Sequence, residues 1–417
     1  MDFLGFLKDS VTPYHTVDSL KKAFVLKDFS VVEECGFEKV RQGGSYLVER
    51  NGALIAVRVP KVAGPKSKFR IALAHTDFPA LKISPNPEKE RARIGTLHTE
   101  VYGSPLFTSW LDRDLGYAGL IAFEKSGTIG TKLFRGKKLF RIPQLAVHLN
   151  RGVNQEGLKV NPQTDLDALW CSLAGDERSF VDTLQAELAA DERLLDFDIQ
   201  LFDAQAPSVG GFNDEWIYSG RLDNLSSCHG IAESLMSSEP LENDFAVAAF
   251  LNNEEVGSVT REGAGGNFLK AVLQQLRNGL VGTSCSLTAA LSESLALSID
   301  MAHGVHPNFV QKHEPNHAPL LGAGVVLKSN SQKRYASDVI SSARFKLLCE
   351  QANVKSQTFI TRNDMPCGST VGPTVSASLG IPTVDIGEPM LSMHSIREMI
   401  AVDDHEDMIR LVTALFQ

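Results

Sequence analysis

The chain has 417 residues, 43% hydrophobic and 22% charged, with a formal net charge of −9 and a pI near 5.7. That length calls for a large core with an inserted or second domain. The acidic balance argues against a nucleic-acid partner and leaves any acidic substrate dependent on local cations. The six cysteines (Cys35, Cys171, Cys228, Cys285, Cys349, Cys367) are scattered, which argues against a disulfide framework or a cysteine zinc site and for a reducing compartment. Residues 1–24 carry Asp2, Lys8 and Asp9 among their apolar positions, unlike a secretory signal. No stretch approaches the roughly 18 apolar residues of a membrane span. A cytoplasmic protein without a membrane partner is the expectation.

In chain order, Phe3, Leu4, Phe6 and Leu7 predict a first helix that stops near Thr12-Pro13, and residues 17–24 predict a second. Residues 69–74 form an apolar strand that delivers His75-Thr76-Asp77. The polar stretch 84–93 contains prolines, and a domain boundary is expected there. From about residue 93 to 215 the texture changes to short alternating runs (Leu145, Val147, Leu149), basic patches around Lys132–Lys138, and an acidic, helix-prone segment over 176–195. His98 and His148 stand alone in this block, which reads as an insertion that shapes or assembles the protein.

Strand-and-loop texture then returns. Asp223 and Asn224 precede a helix whose apolar side is Leu225, Cys228, Ile231, Ala232 and Leu235. The buried-strand pattern of 245–251 runs into Asn252-Asn253-Glu254-Glu255-Val256-Gly257. Residues 295–299 lead to Asp300, and 383–386 lead through a loop to His394. Ligand sites of open α/β sheets lie outside the carboxyl ends of strands. Strands that end at or near His75, Glu255, Asp300 and His394, with Asp223 at a loop-to-helix junction, therefore predict a dinuclear metal site. Imidazole and carboxylate donors suit zinc, manganese or cobalt. Asp223 is the candidate bridge, and Asp77 could hydrogen-bond the His75 ring and set its tautomer. Neighbouring extended residues point apart, so of Glu254 and Glu255 one can ligate while the other moves a proton.

One rival motif is His313-Glu314-Pro315-Asn316-His317, which matches the H-E-x-x-H pattern of single-zinc proteases. That pattern needs a helix, which Pro315 forbids. The glycines of 322–324 and 367–372 lack a strand-to-helix dinucleotide context, and no G-x-S-x-G surrounds Ser369.

The motifs HTDFP (75–79), TSWLDRDLG (108–116), GRLDN (220–224), NNEEVGS (252–258), DMAHGVHPN (300–308), KHEPNH (312–317), SNSQKRYAS (329–337), DMPCGSTVGP (364–373) and MHSIREM (393–399) closely resemble the aspartyl aminopeptidase family of dinuclear zinc metallopeptidases, in the family's order and over nearly the whole chain. The resemblance implies a mixed-sheet α/β/α metallopeptidase domain (1–92 and 216–417) with an inserted, strand-rich dimerisation domain (93–215). It implies two divalent ions per subunit, most readily zinc, with Asp223 bridging, His75 and Asp300 on one ion, and Glu255 and His394 on the other. Glu254 would be the general base, and the substrates would be peptides with an N-terminal Asp or Glu.

The resemblance further implies dimers that assemble into dodecamers, His148 reaching a neighbouring subunit's site, and Lys328 and His303 on the substrate's side chain. One departure is visible: Tyr102-Gly103-Ser104-Pro105-Leu106-Phe107 stands where the family has a glycine-rich run. The alternatives are a broad aminopeptidase or amidohydrolase acting on neutral residues, a single-zinc protease built on 313–317, and a scaffold with a vestigial site.

Overall fold

A computed structural model of the chain describes residues 1–172 and 179–417. They divide into two compact units, the first made of Met1–Asp77, Pro207–Met393 and Glu398–Gln417, the second of Phe78–Ala206 and His394–Arg397.

The first unit is a mixed α/β fold built on a nine-stranded sheet. In spatial order its strands are Ser30–Val31, Ser45–Arg50, Ala53–Arg58, Phe245–Leu251, Phe69–His75, Leu295–Ile299, Thr383–Gly387, Val325–Ser329 and Ser356–Ile360. Phe245–Leu251, Phe69–His75, Leu295–Ile299 and Thr383–Gly387 run parallel to one another, and an antiparallel strand flanks them on each side. Every residue of Phe245–Leu251 is buried, as expected of a central strand covered on both faces. On one face Phe69, Ile71, Leu73, Phe245, Val247 and Ala249 pack with Phe268, Val272, Leu276 and Val375, from helices Phe268–Leu280 and Val371–Leu379. Helix Leu222–Ser237 contacts the same central strands and helix Val402–Leu415. A five-stranded sheet joins Ser208–Gly210, Trp216–Ser219, Glu398–Ala401, Pro389–Leu391 and Ala302–His303.

The local chemistry of the N-terminal helices matches their sequence. Asp2 caps Phe3–Asp9, and the Thr12 side chain accepts from His15 N at the start of Pro13–Val25. Pro13 therefore opens the second helix, where its missing N–H costs nothing, and the helix starts earlier than residue 17.

The second unit holds a six-stranded antiparallel sheet in the order Thr128–Arg135, Leu115–Lys125, Arg193–Asp203, Ala80–Arg91, Ile94–Tyr102 and Ala168–Ser172. Its core is aromatic, with Tyr117 stacked on Phe140 at 4.4 Å and Phe180 edge-on to Trp170 at 6.0 Å.

Several boundaries differ from expectation. The second unit begins at Phe78 rather than 93, because the polar stretch is the end of the Ala80–Arg91 strand and the Ala92-Arg93 turn after it. Its prolines Pro85 and Pro87 fall where the pairing shifts between Ile83 and Glu88. Proline has no N–H for a ladder, so it settles at such an irregularity. The unit ends its main run at Ala206 rather than 215, since Ser208–Gly210 pairs with Trp216–Ser219 in the first unit. Leu145, Val147 and Leu149 form no strand and are exposed. Of the segment 176–195, residues 176–178 lie outside the described residues. The rest gives a short helix, Phe180–Gln185, and the start of the Arg193–Asp203 strand. Among the described residues no helix is long and apolar enough to cross a membrane.

Candidate metal centre

Within the first unit three strands and one helix bring their ends together. The parallel register pairs Leu251 with His75, so the Asn252–Gly257 turn follows one strand beside the imidazole that closes the other. Asp300 follows the neighbouring strand, and its amide donates to Ile386 O at 3.0 Å. Gly387 is required at that crossing, because a Cβ there would sit 1.9 Å from Asp300 O. Asp223 lies in the first turn of Leu222–Ser237, where Asp223 and Asn224 depart from helical dihedrals. Its amide is held by Glu398 Oε2 at 3.1 Å, and Asn224 Nδ2 donates to Ile299 O at 2.8 Å, which ties the helix start to the strand ahead of Asp300.

The result is a dense set of donors. His75 Nε2 lies 3.5 Å from Asp223 Oδ1 and 3.8 Å from Asp300 Oδ1. Donor atoms of His75, Asp223 and Asp300 fall within 4.8 Å of one another, as do those of His75, Glu254 and Glu255. His75, Asp77, Asp223 and Asp300 are all buried. Five carboxylates around one imidazole (Asp77, Asp223, Asp300, Glu254 and Glu255), three of them buried, repel strongly unless cations lie among them. The donor set of one nitrogen and several carboxylate oxygens fits zinc.

Without a cation, His75 itself carries the compensating charge. Burial opposes protonation, but the Asp223, Asp300 and Asp77 carboxylates beside the ring outweigh it and raise its pKa well above the ordinary value. Glu254 is pushed up to about 7, first by burial and then by the Asp300, Asp77 and Asp223 carboxylates, with His75 opposing.

Asp77 is placed differently from the expected imidazole partner. His75 Nδ1 meets the main-chain carbonyl of Asp77 at 2.9 Å, while the nearer carboxylate oxygen is 3.5 Å away. The Asp77 carboxylate instead accepts the amides of Glu254 and Glu255, at 3.0 and 3.1 Å. The Glu254–Val256 turn is flanked by left-handed residues, Asn253 at φ 62° and Gly257 at φ 99°.

Lys328, on the Val325–Ser329 strand, is buried. Its ammonium donates to Met301 O at 2.9 Å, lies 3.8 Å from Asp300 Oδ2, and sits 5.4 Å from the centre of the Tyr335 ring. Tyr335, His303, Phe359, Lys312 and Arg362 line a cavity of about 250 Å³. His303 is exposed, with its ring 5.8 Å from that of Phe359. Residues 313–317 form turns rather than a helix, and Glu314 holds the His317 ring at 2.5 Å. His148 and His394 belong to the second unit. His148 is exposed, and His394 Nδ1 meets Ser104 O at 3.0 Å. The sequence reading missed Glu398 as the support of Asp223. Its position four residues after His394 in the same short motif was the available signal.

The aminopeptidase I zinc metalloprotease (M18) family model matches residues 6–416. A probable M18 family aminopeptidase 2 of Pseudomonas aeruginosa is 39% identical over 421 aligned residues, covering 99% of this chain and 96% of that protein. Among solved structures, that of an Ape4 and Nbr1 complex matches with a TM-score of 0.94 at 33% identity, covering all of this chain and 84% of the other. The S. cerevisiae mApe1 dodecamer matches with a TM-score of 0.86 at 26% identity over 99% of this chain and 95% of that one. With family match and donor set in agreement, this chain belongs to the M18 family of zinc metallopeptidases and is a metalloaminopeptidase.

Proposed function

We propose that the enzyme removes N-terminal Asp or Glu from peptides with two divalent ions, zinc by preference, in each subunit. The reading is carried by the convergence of His75, Asp223 and Asp300 beside Glu254 and Glu255. The resemblance assigns Asp223 as the bridge, His75 and Asp300 to one ion, and Glu255 and His394 to the other. His394 has the right form for this role: an Nδ1–H given to Ser104 O leaves the lone pair on Nε2. Bound ions of this kind would polarise the scissile carbonyl and lower the pKa of the attacking water towards about 7.

The protein's own groups carry the rest. Glu254 takes a proton from the attacking water as oxygen adds to the carbonyl carbon. It returns that proton to the amine as the C–N bond breaks, so the proton count balances. Asp77 keeps Glu254 and Glu255 in register through their amides. Lys328 and His303 take the acidic side chain of the substrate. The support is a buried ammonium with one donor committed to Met301 O, against Tyr335, which lines a cavity with Lys312 and Arg362.

The exposed Leu139, Leu145, Val147 and Leu149 of the second unit offer apolar surface of the kind oligomers cover. They support dimers and, beyond them, a dodecamer in which His148 enters a neighbouring site. Six cysteines without disulfides suit a cytoplasmic protein. A panel of amino-acid p-nitroanilides tests the substrate class. Turnover of Asp and Glu derivatives well above Leu and Ala is expected, and a preference for neutral residues would replace this reading with a broad aminopeptidase.

A further inference from the structure

We propose that Arg397, anchored on Asp203, is a positioning residue that sets the imidazole of His394. The inference rests on the reading of His394 as a metal ligand. Residues His394–Arg397 belong to the second unit although the chain on both sides belongs to the first, and within that unit they are held almost residue by residue. Leu106 N donates to His394 O at 2.9 Å, and His394 Nδ1 meets Ser104 O at 3.0 Å. Ile396 N donates to Ser109 Oγ at 2.9 Å, while the Ile396 side chain enters the core of the second unit. Arg397 closes the segment. Its Nη2 donates to Ala206 O at 3.0 Å, and its Nη1 lies 3.6 Å from Asp203 Oδ2.

These restraints hold a conformation the segment would not choose. His394 has φ 65° and Ser392 has φ 60°, in the left-handed region that residues with a Cβ avoid. Such backbone persists only where its surroundings over-determine it. The Ser104–Ser109 loop fixes the near end of the segment, and the guanidinium fixes the far end. A planar guanidinium reaching a carboxylate and a carbonyl together supplies directional restraint that an ammonium does not.

Asp203 makes the anchor firm. Its side chain is 2% exposed, Oδ2 accepts from Arg113 Nη2 at 2.7 Å, and Oδ1 accepts from Gln205 N at 3.1 Å. Arg113 joins Asp203 without Arg397, so removing Arg397 leaves a paired buried carboxylate and the sheet of the second unit intact. The loss falls on the segment that carries His394.

The test compares wild type, Arg397→Met, Arg397→Lys, His394→Ala and the Arg397→Met/His394→Ala double variant. Zinc per subunit is read by elemental analysis, zinc affinity by chelator competition, and folding of the metal-free proteins by thermal unfolding. Arg397→Met is expected to keep its unfolding midpoint and weaken the second zinc roughly 10- to 100-fold, with partial rescue in Arg397→Lys. It should add nothing once His394 is alanine. Equal weakening in the alanine background, or no weakening while His394→Ala loses zinc, overturns the positioning role. Full zinc binding by His394→Ala overturns the ligand reading and this inference with it. Should Arg397→Met fail to fold, Ser109→Ala removes the hydroxyl that accepts Ile396 N and donates to Leu106 O. It carries the same expectation at smaller size, and unchanged zinc affinity there would count against the proposal.

Discussion

The Asp77 carboxylate accepts the Glu254 amide at 3.0 Å with one oxygen and the Glu255 amide at 3.1 Å with the other. One buried side chain, two residues past His75, thus sets the height of both glutamates against the ring.

That relationship predicts the behaviour of Asp77→Asn. The new amide group must point its own N–H₂ at one of the two backbone N–H donors, leaving that donor without an acceptor. The expected result is a kcat/KM lower by roughly 10- to 100-fold together with weaker zinc binding. Steady-state kinetics and metal analysis on the same preparation check both.

Glu254→Gln should separate binding from proton transfer. The amide has similar volume and keeps its place on Asp77, yet holds no transferable proton. A loss of about 10²- to 10⁴-fold in kcat is expected, with zinc content unchanged. Near-wild-type turnover would remove Glu254 from the role of base.

Lys328→Met keeps the length of the side chain and deletes the charge beside Asp300 and Tyr335. Substrates with N-terminal Asp or Glu should lose about 10- to 100-fold in kcat/KM, and neutral ones much less. Equal loss on both would mean that the ammonium serves only to hold Asp300.

Chelation should do more than stop turnover. Removing the cations leaves Asp223, Asp300, Glu254 and Glu255 facing one another around a protonated His75. The thermal midpoint should therefore fall on treatment with chelator and recover on adding zinc, because ligands that bind only the folded state stabilise it. Calorimetry with and without zinc measures the shift.

Acid stability offers a test away from the centre. His229 is buried, with Nδ1 at 2.9 Å from His405 Nε2 and Nε2 at 3.0 Å from Met1 O. Burial first, and the neighbouring His405 second, lower its pKa from 6.5 to about 3. Between those values the unfolded chain binds a proton that the folded chain refuses, so this stability is present above pH 6.5 and lost as the pH falls towards 3. His229→Gln should flatten the pH dependence of the unfolding midpoint in that window by about one proton's worth. An unchanged slope would show that other groups set it.

What the sequence alone determined was the chemistry and its local frame. The apolar run 245–251 reads as a covered strand bounded by turn residues, which made the Glu254-Glu255 pair a strand-end feature. Pro315 ruled out a helical H-E-x-x-H in the same local way. Period and turn chemistry are properties of neighbouring residues, so they are legible along the chain. The tertiary structure alone decided which distant groups meet: Glu398 under Asp223, Asp77 on the glutamate amides, and Arg397 on Asp203. It also decided that the stretch 84–93 is a strand end of irregular register and the turn after it rather than a boundary. Those outcomes depend on partners far away in the chain, because a polar side chain gains its role only from the donor or acceptor that folding places against it.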